Sequence, residues 1–139
     1  MKKLALLFLV LPLLFIASCD KDDEDEVSER FRLLTTPVWE SQQLLVNGVD
    51  ASGSGGLLEN FKGDAKFNAD GTGNFGNLTG TWEFQQDETQ IRIVTNAYPF
   101  PIVANIEELT SSAFRIGTLF PNPENPQQQL TVTMSFVAR

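Results

Sequence analysis

Period-two alternation of apolar and polar residues recurs along most of this chain, and it constrains the fold more than any other feature. In the last segment Leu130, Val132, Met134 and Phe136 alternate with Thr131, Thr133 and Ser135. Upstream, Leu78, Gly80, Trp82 and Phe84 alternate with Thr79, Thr81 and Glu83. Ile91 and Ile93 flank Arg92, and Phe114, Ile116 and Thr118 flank Arg115 and Gly117. Successive side chains of a strand point to opposite faces, so each run offers one face to a core and one to water. From Phe31 onward no helical periodicity of comparable length competes with it.

Turn chemistry cuts these runs at short intervals. Asn68-Ala69-Asp70-Gly71 separates Phe67 from Phe75, with Asp-Gly supplying the positive-φ position of a hairpin. Gly76-Asn77, Gln86-Asp87-Glu88-Thr89 and Thr110-Ser111-Ser112 make further breaks. The pattern predicts about eight strands, near 38–46, 63–68, 72–76, 78–85, 90–95, 102–109, 113–119 and 128–138. The glycine-rich stretch 48–56 reads as a loop followed by a helical turn near 57–61. The segment 121–126, with three prolines, reads as a loop without regular structure. Eight short sequential strands predict an all-β fold, an antiparallel up-and-down barrel whose closure removes sticky edges. The interior of such a barrel is either filled by side chains or holds one small ligand.

The barrel does not begin at the first residue. Lys2 and Lys3 precede an apolar run over 4–16, too short to span a bilayer as a mature helix but suited to a secretory signal. Ile16-Ala17-Ser18-Cys19 resembles the bacterial lipobox, in which small residues let a peptidase bind extended backbone beside an invariant cysteine. Cys19 is the chain's single cysteine, so no internal disulfide framework exists. The expected division is a removed signal at 1–18, a lipidated Cys19 with an acidic, solvated tether over 19–32, and a barrel domain over 33–139. Several acyl chains, at about 0.8 kcal/mol per buried methylene, make a stable membrane anchor.

The tether run from Asp20 to Arg30 holds seven acids and two bases and reads as a spacer without fixed structure. Lys21-Asp22-Asp23-Glu24, so close to the cysteine, resembles the export signal of Bacteroidota surface lipoproteins and implies an outer-membrane, cell-surface location. Loss of the signal takes two lysines and no acids from a chain of net charge −8, leaving eight bases against eighteen acids, or −10. Phosphates would be repelled, which sets nucleic acid aside as a partner.

The domain from about Leu33 to Arg139 resembles the lipocalin-like small lipoproteins of Bacteroidota. The resemblance is carried by Pro37-Val38-Trp39-Glu40-Ser41, Lys66-Phe67-Asn68-Ala69-Asp70-Gly71-Thr72, Gly80-Thr81-Trp82-Glu83-Phe84 and Ile106-Glu107-Glu108-Leu109-Thr110, in that order. It implies a lipocalin-like barrel. Lipocalins proper carry glycine two places before the first-strand tryptophan, where this chain has Pro37. They also pack a basic residue against that tryptophan, for which Arg139 and Arg115 are the candidates.

The composition argues against an enzyme. With no histidine, the usual general base and the commonest transition-metal ligand are missing, and the lone cysteine is taken by lipid. Glu107 and Glu108 are adjacent on a strand and should face opposite ways, so they would not converge on one glycosidic bond. The 68–74 loop resembles a calcium loop but lacks the downstream bidentate acid, and no metal or cofactor is expected. Two readings of the aromatic residues remain. Trp39, Phe67, Trp82, Phe84, Phe114, Met134 and Phe136 face inward and would line a cavity for a small apolar ligand, or else fill it, as would Phe75. Tyr98, Phe100 and Phe120 lie in proline-stiffened loops and would contact a glycan or protein partner at the rim.

Overall fold

The computed structural model describes residues 27–139. Cys19 and the acidic segment 20–26 lie outside the described residues. A short helix α1 (Glu29–Thr35) is followed by β1 (Trp39–Val46), β2 (Val49–Asp50), β3 (Asp64–Phe67), β4 (Thr72–Phe75), β5 (Leu78–Gln85), β6 (Gln90–Thr95), β7 (Ile102–Leu109), β8 (Ala113–Asn122) and β9 (Asn125–Ala138). Each long strand pairs antiparallel with the next, and β1 pairs with β9 from Trp39↔Ala138 to Val46↔Val132. The eight long strands thus form a closed up-and-down barrel, as the alternation predicts, while β2 only extends the end of β1.

Strict antiparallel order sorts the connections to two poles. Helix α1, the turns at 68–71, 86–89 and 110–112, and the C-terminus share one pole. The β1–β2 turn, the 51–63 segment, the turn at 76–77, the 96–101 loop and the β8–β9 turn share the other, which we call the mouth.

The helix begins four residues inside the stretch expected to be tether. Ser28 accepts from the Phe31 N–H at 3.0 Å as N-cap, and Glu29 sits in the first turn, where the helix dipole favours an acid. Leu34 is fully enclosed, and Phe31 packs 5.7 Å from Trp82. The Trp39 indole N–H donates to the Leu34 carbonyl at 3.0 Å. The Lys66 ammonium donates to the carbonyls of Thr35, Thr36 and Pro37, where the helix leaves acceptors unpaired. A seven-residue helix with two apolar anchors is too short to show a period inside a charge run, so only its docking reveals it.

Two other expectations need correction. The segment holding Leu119-Phe120-Pro121 is strand, because β8 runs on to Asn122 and β9 starts at Asn125, leaving a tight turn at Pro123-Glu124. Proline is admissible there because beyond Gly117 the pairing of β8 is with β9, and Pro121↔Gln129 asks no ladder donor of Pro121 on the outer edge. Glu107 and Glu108 do not diverge. A bulge between Ile106 and Glu108 turns both to the same side, where Arg115 binds Glu107 at 3.2 Å and Glu108 at 2.9 Å.

The β5–β6 turn holds three successive non-glycine residues in left-handed backbone, Gln86, Asp87 and Glu88, at φ 53°, 55° and 68°. Helix α1 grips this turn: Arg30 Nε donates to the Glu88 carbonyl at 2.9 Å and Ser28 Oγ to its carboxylate at 2.7 Å. Left-handed backbone costs an ordinary residue about 1–2 kcal/mol, more for Gln than for Asp. Gln86→Gly should therefore raise stability by about 0.5–1 kcal/mol, after the entropy of glycine in the unfolded chain is discounted. A lower thermal midpoint for that variant would contradict the strain.

Candidate functional site

The barrel interior is occupied by the chain itself. Phe67 packs against Phe75, Trp82 and Phe114 at centroid distances of 5.2, 5.7 and 5.6 Å. Phe114 in turn meets Trp39 at 5.5 Å and Phe136 at 5.7 Å, and Trp82 meets Phe84 edge-on at 5.4 Å. Nearer the mouth, a 3-10 turn (Glu59–Phe61) lowers Phe61 into the barrel, with Leu58 beside it fully enclosed. The void left among Phe61, Ala65, Phe67, Phe75, Ile93, Ile116, Met134 and Phe136 is about 10 Å³. Holding even one water takes roughly 10–15 Å³, and a benzene-sized guest needs on the order of 150 Å³.

All seven inward candidates are therefore packed against one another. Phe67, Met134 and Phe136 border the small void, while Trp39, Trp82, Phe84 and Phe114 form an aromatic cluster toward the helix pole. Trp82 is tied there by its indole N–H, which donates to the Asn68 carbonyl at 2.9 Å. In the β3–β4 hairpin, Asp70 accepts from the Thr72 N–H at 2.9 Å and from its hydroxyl at 2.7 Å. The loop that resembled a calcium site thus spends its oxygens on its own turn. The hydroxyl bond first, and then the backbone bond, hold Asp70 below the ordinary carboxylate range.

Outside the core, the mouth carries an apolar cleft of about 330 Å³. Its walls are Leu57, Tyr98, Phe100 and Phe120, with Pro121, Pro123 and Pro126 from the β8–β9 hairpin and Asn122 at the edge. The three rings singled out from sequence meet here. Tyr98 lies 5.9 Å from Phe100 and 5.7 Å from Phe120, and Phe100 stands perpendicular to Phe120 at 6.0 Å. Phe120 is buried at the cleft floor as a residue of β8, not exposed on a loop. Phe61 stacks on Tyr98 at 6.0 Å and so separates cleft from core. Leu57 and the prolines were not legible as partners of these rings; the only sequence signal was the density of proline beside Phe120.

The cleft's size falls at the lower end of the roughly 300–1,000 Å³ range of small-molecule sites. No protein-family model and no curated protein matches the chain. Among solved structures, it is similar to bovine odorant binding protein in complex with a selenium-containing odorant. The TM-score is 0.51 at 16% identity, covering 83% of this chain and 76% of that one.

The barrel has a lipocalin fold. The lipocalin-like first-strand tryptophan, Trp39, lies in the core, but its neighbours differ from the expected basic partner. Arg139 pairs with Asp64 at 3.0 Å and with Glu40 at 4.0 Å, and Arg115 is held by its two glutamates on the outer wall. Trp39 meets Phe114 and the helix carbonyl instead.

Tyr98 is the chain's single tyrosine, which makes the cleft directly observable. Desolvation in the half-buried site pushes its phenol above the usual value near 10. Absorbance titration near 295 nm should give a midpoint above that of a free tyrosine, moving higher still when a ligand covers the ring. A midpoint at or below the free value would show the ring to be solvated.

Proposed function

We propose that this protein is a lipid-anchored, non-enzymatic binding lipoprotein of the bacterial outer membrane, displayed at the cell surface, that takes a small apolar ligand at the mouth of a filled barrel. The observation that carries the reading is the contrast in space: about 10 Å³ inside the barrel against about 330 Å³ of apolar cleft at its mouth. The likeness to small surface lipoproteins of Bacteroidota and the lipobox at Cys19 support the anchor. So does the placement of the chain's entry. Eight residues, 20–27, separate Cys19 from the helix cap, and with a maximum reach of about 3.3–3.6 Å per residue a lipid on Cys19 would keep the helix pole within roughly 30 Å of the bilayer. The cleft lies at the opposite pole of the barrel.

Because the cleft opens to solvent, a glycan or protein side chain attached to a larger partner fits the same walls. Native mass spectrometry separates the two, since a small ligand travels with the protein. The site itself is tested on the mature chain carrying Cys19→Ala, using the neutral fluorescent probe N-phenyl-1-naphthylamine. Tyr98→Ala with Phe100→Ala should weaken probe binding by about tenfold or more, because two stacking faces are lost. The same variant should lose only about 1–2 kcal/mol of stability, as both rings are partly exposed. Undiminished binding would place the site elsewhere. Cys19→Ala should also abolish partition into detergent, and protein that still partitions would refute the lipid anchor.

A further inference from the structure

The aromatic cleft shares a wall with a second hollow. Leu57, Asn122 and Pro123 border both, and beyond them a space of about 440 Å³ opens against Val46, Val49, Asp50, Ala51, Glu124 and Leu130. The two hollows differ in chemistry. No charged side chain lines the first, whereas the charged groups of the second are both acids. Asp50 is fixed in place by the Ser52 N–H at 3.0 Å and the Ser52 hydroxyl at 2.7 Å, bonds that favour its ionised form. Glu124 stands exposed at the tip of the β8–β9 turn. Neither acid is in an ion pair among the described residues; Lys62 acts on Asp50 only from beyond contact distance.

We propose that the two hollows form one bipartite site for a small cationic amphiphile, its apolar body in the aromatic cleft and its ammonium head between Asp50 and Glu124. The inference rests on the cleft being the binding site and adds the charge of its occupant. Apolar area leaves water against Leu57, Phe120 and the prolines. Between the two, the occupant crosses the shared wall of Leu57, Asn122 and Pro123 before its ammonium reaches the carboxylates. A carboxylate head on the same body would be driven against two like charges, and no base lines that hollow. The mouth therefore selects by sign of charge as well as by shape.

Three probes with one body test this: 4-phenylbutylamine, 4-phenylbutanol and 4-phenylbutyrate, titrated calorimetrically into the mature chain carrying Cys19→Ala at low and moderate salt. The amine should bind about tenfold or more tighter than the butyrate, with the alcohol between them and the spread narrowing as salt rises. Asp50→Asn with Glu124→Gln should bring the amine to within about twofold of the alcohol while leaving the alcohol's affinity unchanged. Asparagine at position 50 can still accept the Ser52 bonds. Should that pair of substitutions disturb the turn, Glu124→Lys alone, on an exposed tip, should reverse part of the preference. Equal affinities for all three probes, or a preference that survives removal of both acids, would overturn the charge assignment while leaving the apolar site standing. Failure of all three to bind, the alcohol included, would instead overturn the cleft as the site and this inference with it.

Discussion

Trp39→Ala should remove about 3–5 kcal/mol of folding stability, the range for deleting a fully enclosed large aromatic. The ring is in contact with Phe114, which itself meets Phe67 and Phe136, so the vacancy falls at the hub of the aromatic core. The same substitution strips the Leu34 carbonyl of its indole donor and loosens the helix that closes that pole. For a domain whose whole stability is about 5–15 kcal/mol, the loss is roughly a fifth or more. Denaturant unfolding followed through Trp82, the remaining tryptophan, should show a lower midpoint at unchanged slope. Trp39→Phe should recover most of the packing but not the tie to the helix, and should fall between. A loss below about 1.5 kcal/mol for the alanine variant would mean the core closes over the gap, contrary to a tightly filled barrel.

Gly76→Ala should cost about 3 kcal/mol or more, for reasons lying wholly in the backbone. Gly76 sits at φ +64°, which charges an alanine about 1–2 kcal/mol before any contact is counted. Its Cβ would also overlap the Asn60 carbonyl oxygen and stand 2.7 Å from the Phe61 carbonyl carbon and 2.9 Å from the Lys62 oxygen. No flexible side chain can yield there, so the 3-10 turn must move. Two bonds moor that turn region, Gly76 N–H to Asp64 at 2.8 Å and Asn77 N–H to Asn60 at 2.8 Å. Faster amide hydrogen exchange should accordingly centre on 58–62, the segment that carries Phe61 between core and cleft. Exchange that rises evenly over the whole barrel instead would show that Gly76 acts through global stability alone.

These two sites bracket the functional reading. Trp39 and its neighbours fill the barrel from the helix pole, and Phe61 fills it from the mouth, so an apolar guest is left the cleft above Phe61. In the proposed function the barrel would serve as a rigid post for a surface site. Prolines at 121, 123 and 126 stiffen the hairpin that forms one wall, and β8 holds Phe120 in register through Phe120↔Leu130.

Much of the barrel was legible because strand alternation and turn residues are local signals. The strands over 78–85, 90–95 and 102–109 match residue for residue. What was misread depends on contacts between distant segments. Helix α1 forms because Leu34 and Phe31 dock on a barrel whose strands come later in the chain. The β8–β9 strands extend through prolines because each has the other to pair with. Glu107 and Glu108 share Arg115 because of a bulge that no periodicity encodes. Tyr98, Phe100 and Phe120 were recognisable as candidates from their proline neighbours, yet their convergence with Leu57 into one cleft joins three separate segments.

The sequence by itself determined the antiparallel barrel, the lack of histidine and the strong negative charge, since these follow from residue type and spacing. Tertiary structure alone decided whether the barrel is hollow. Inward-facing rings can line a cavity or occupy it, and the outcome turns on the reach of Phe61 from a loop and on how Phe67, Phe114 and Trp39 interlock across the interior. Those are packing relations between residues far apart in the chain, and they leave the mouth as the place where the protein has room for something other than itself.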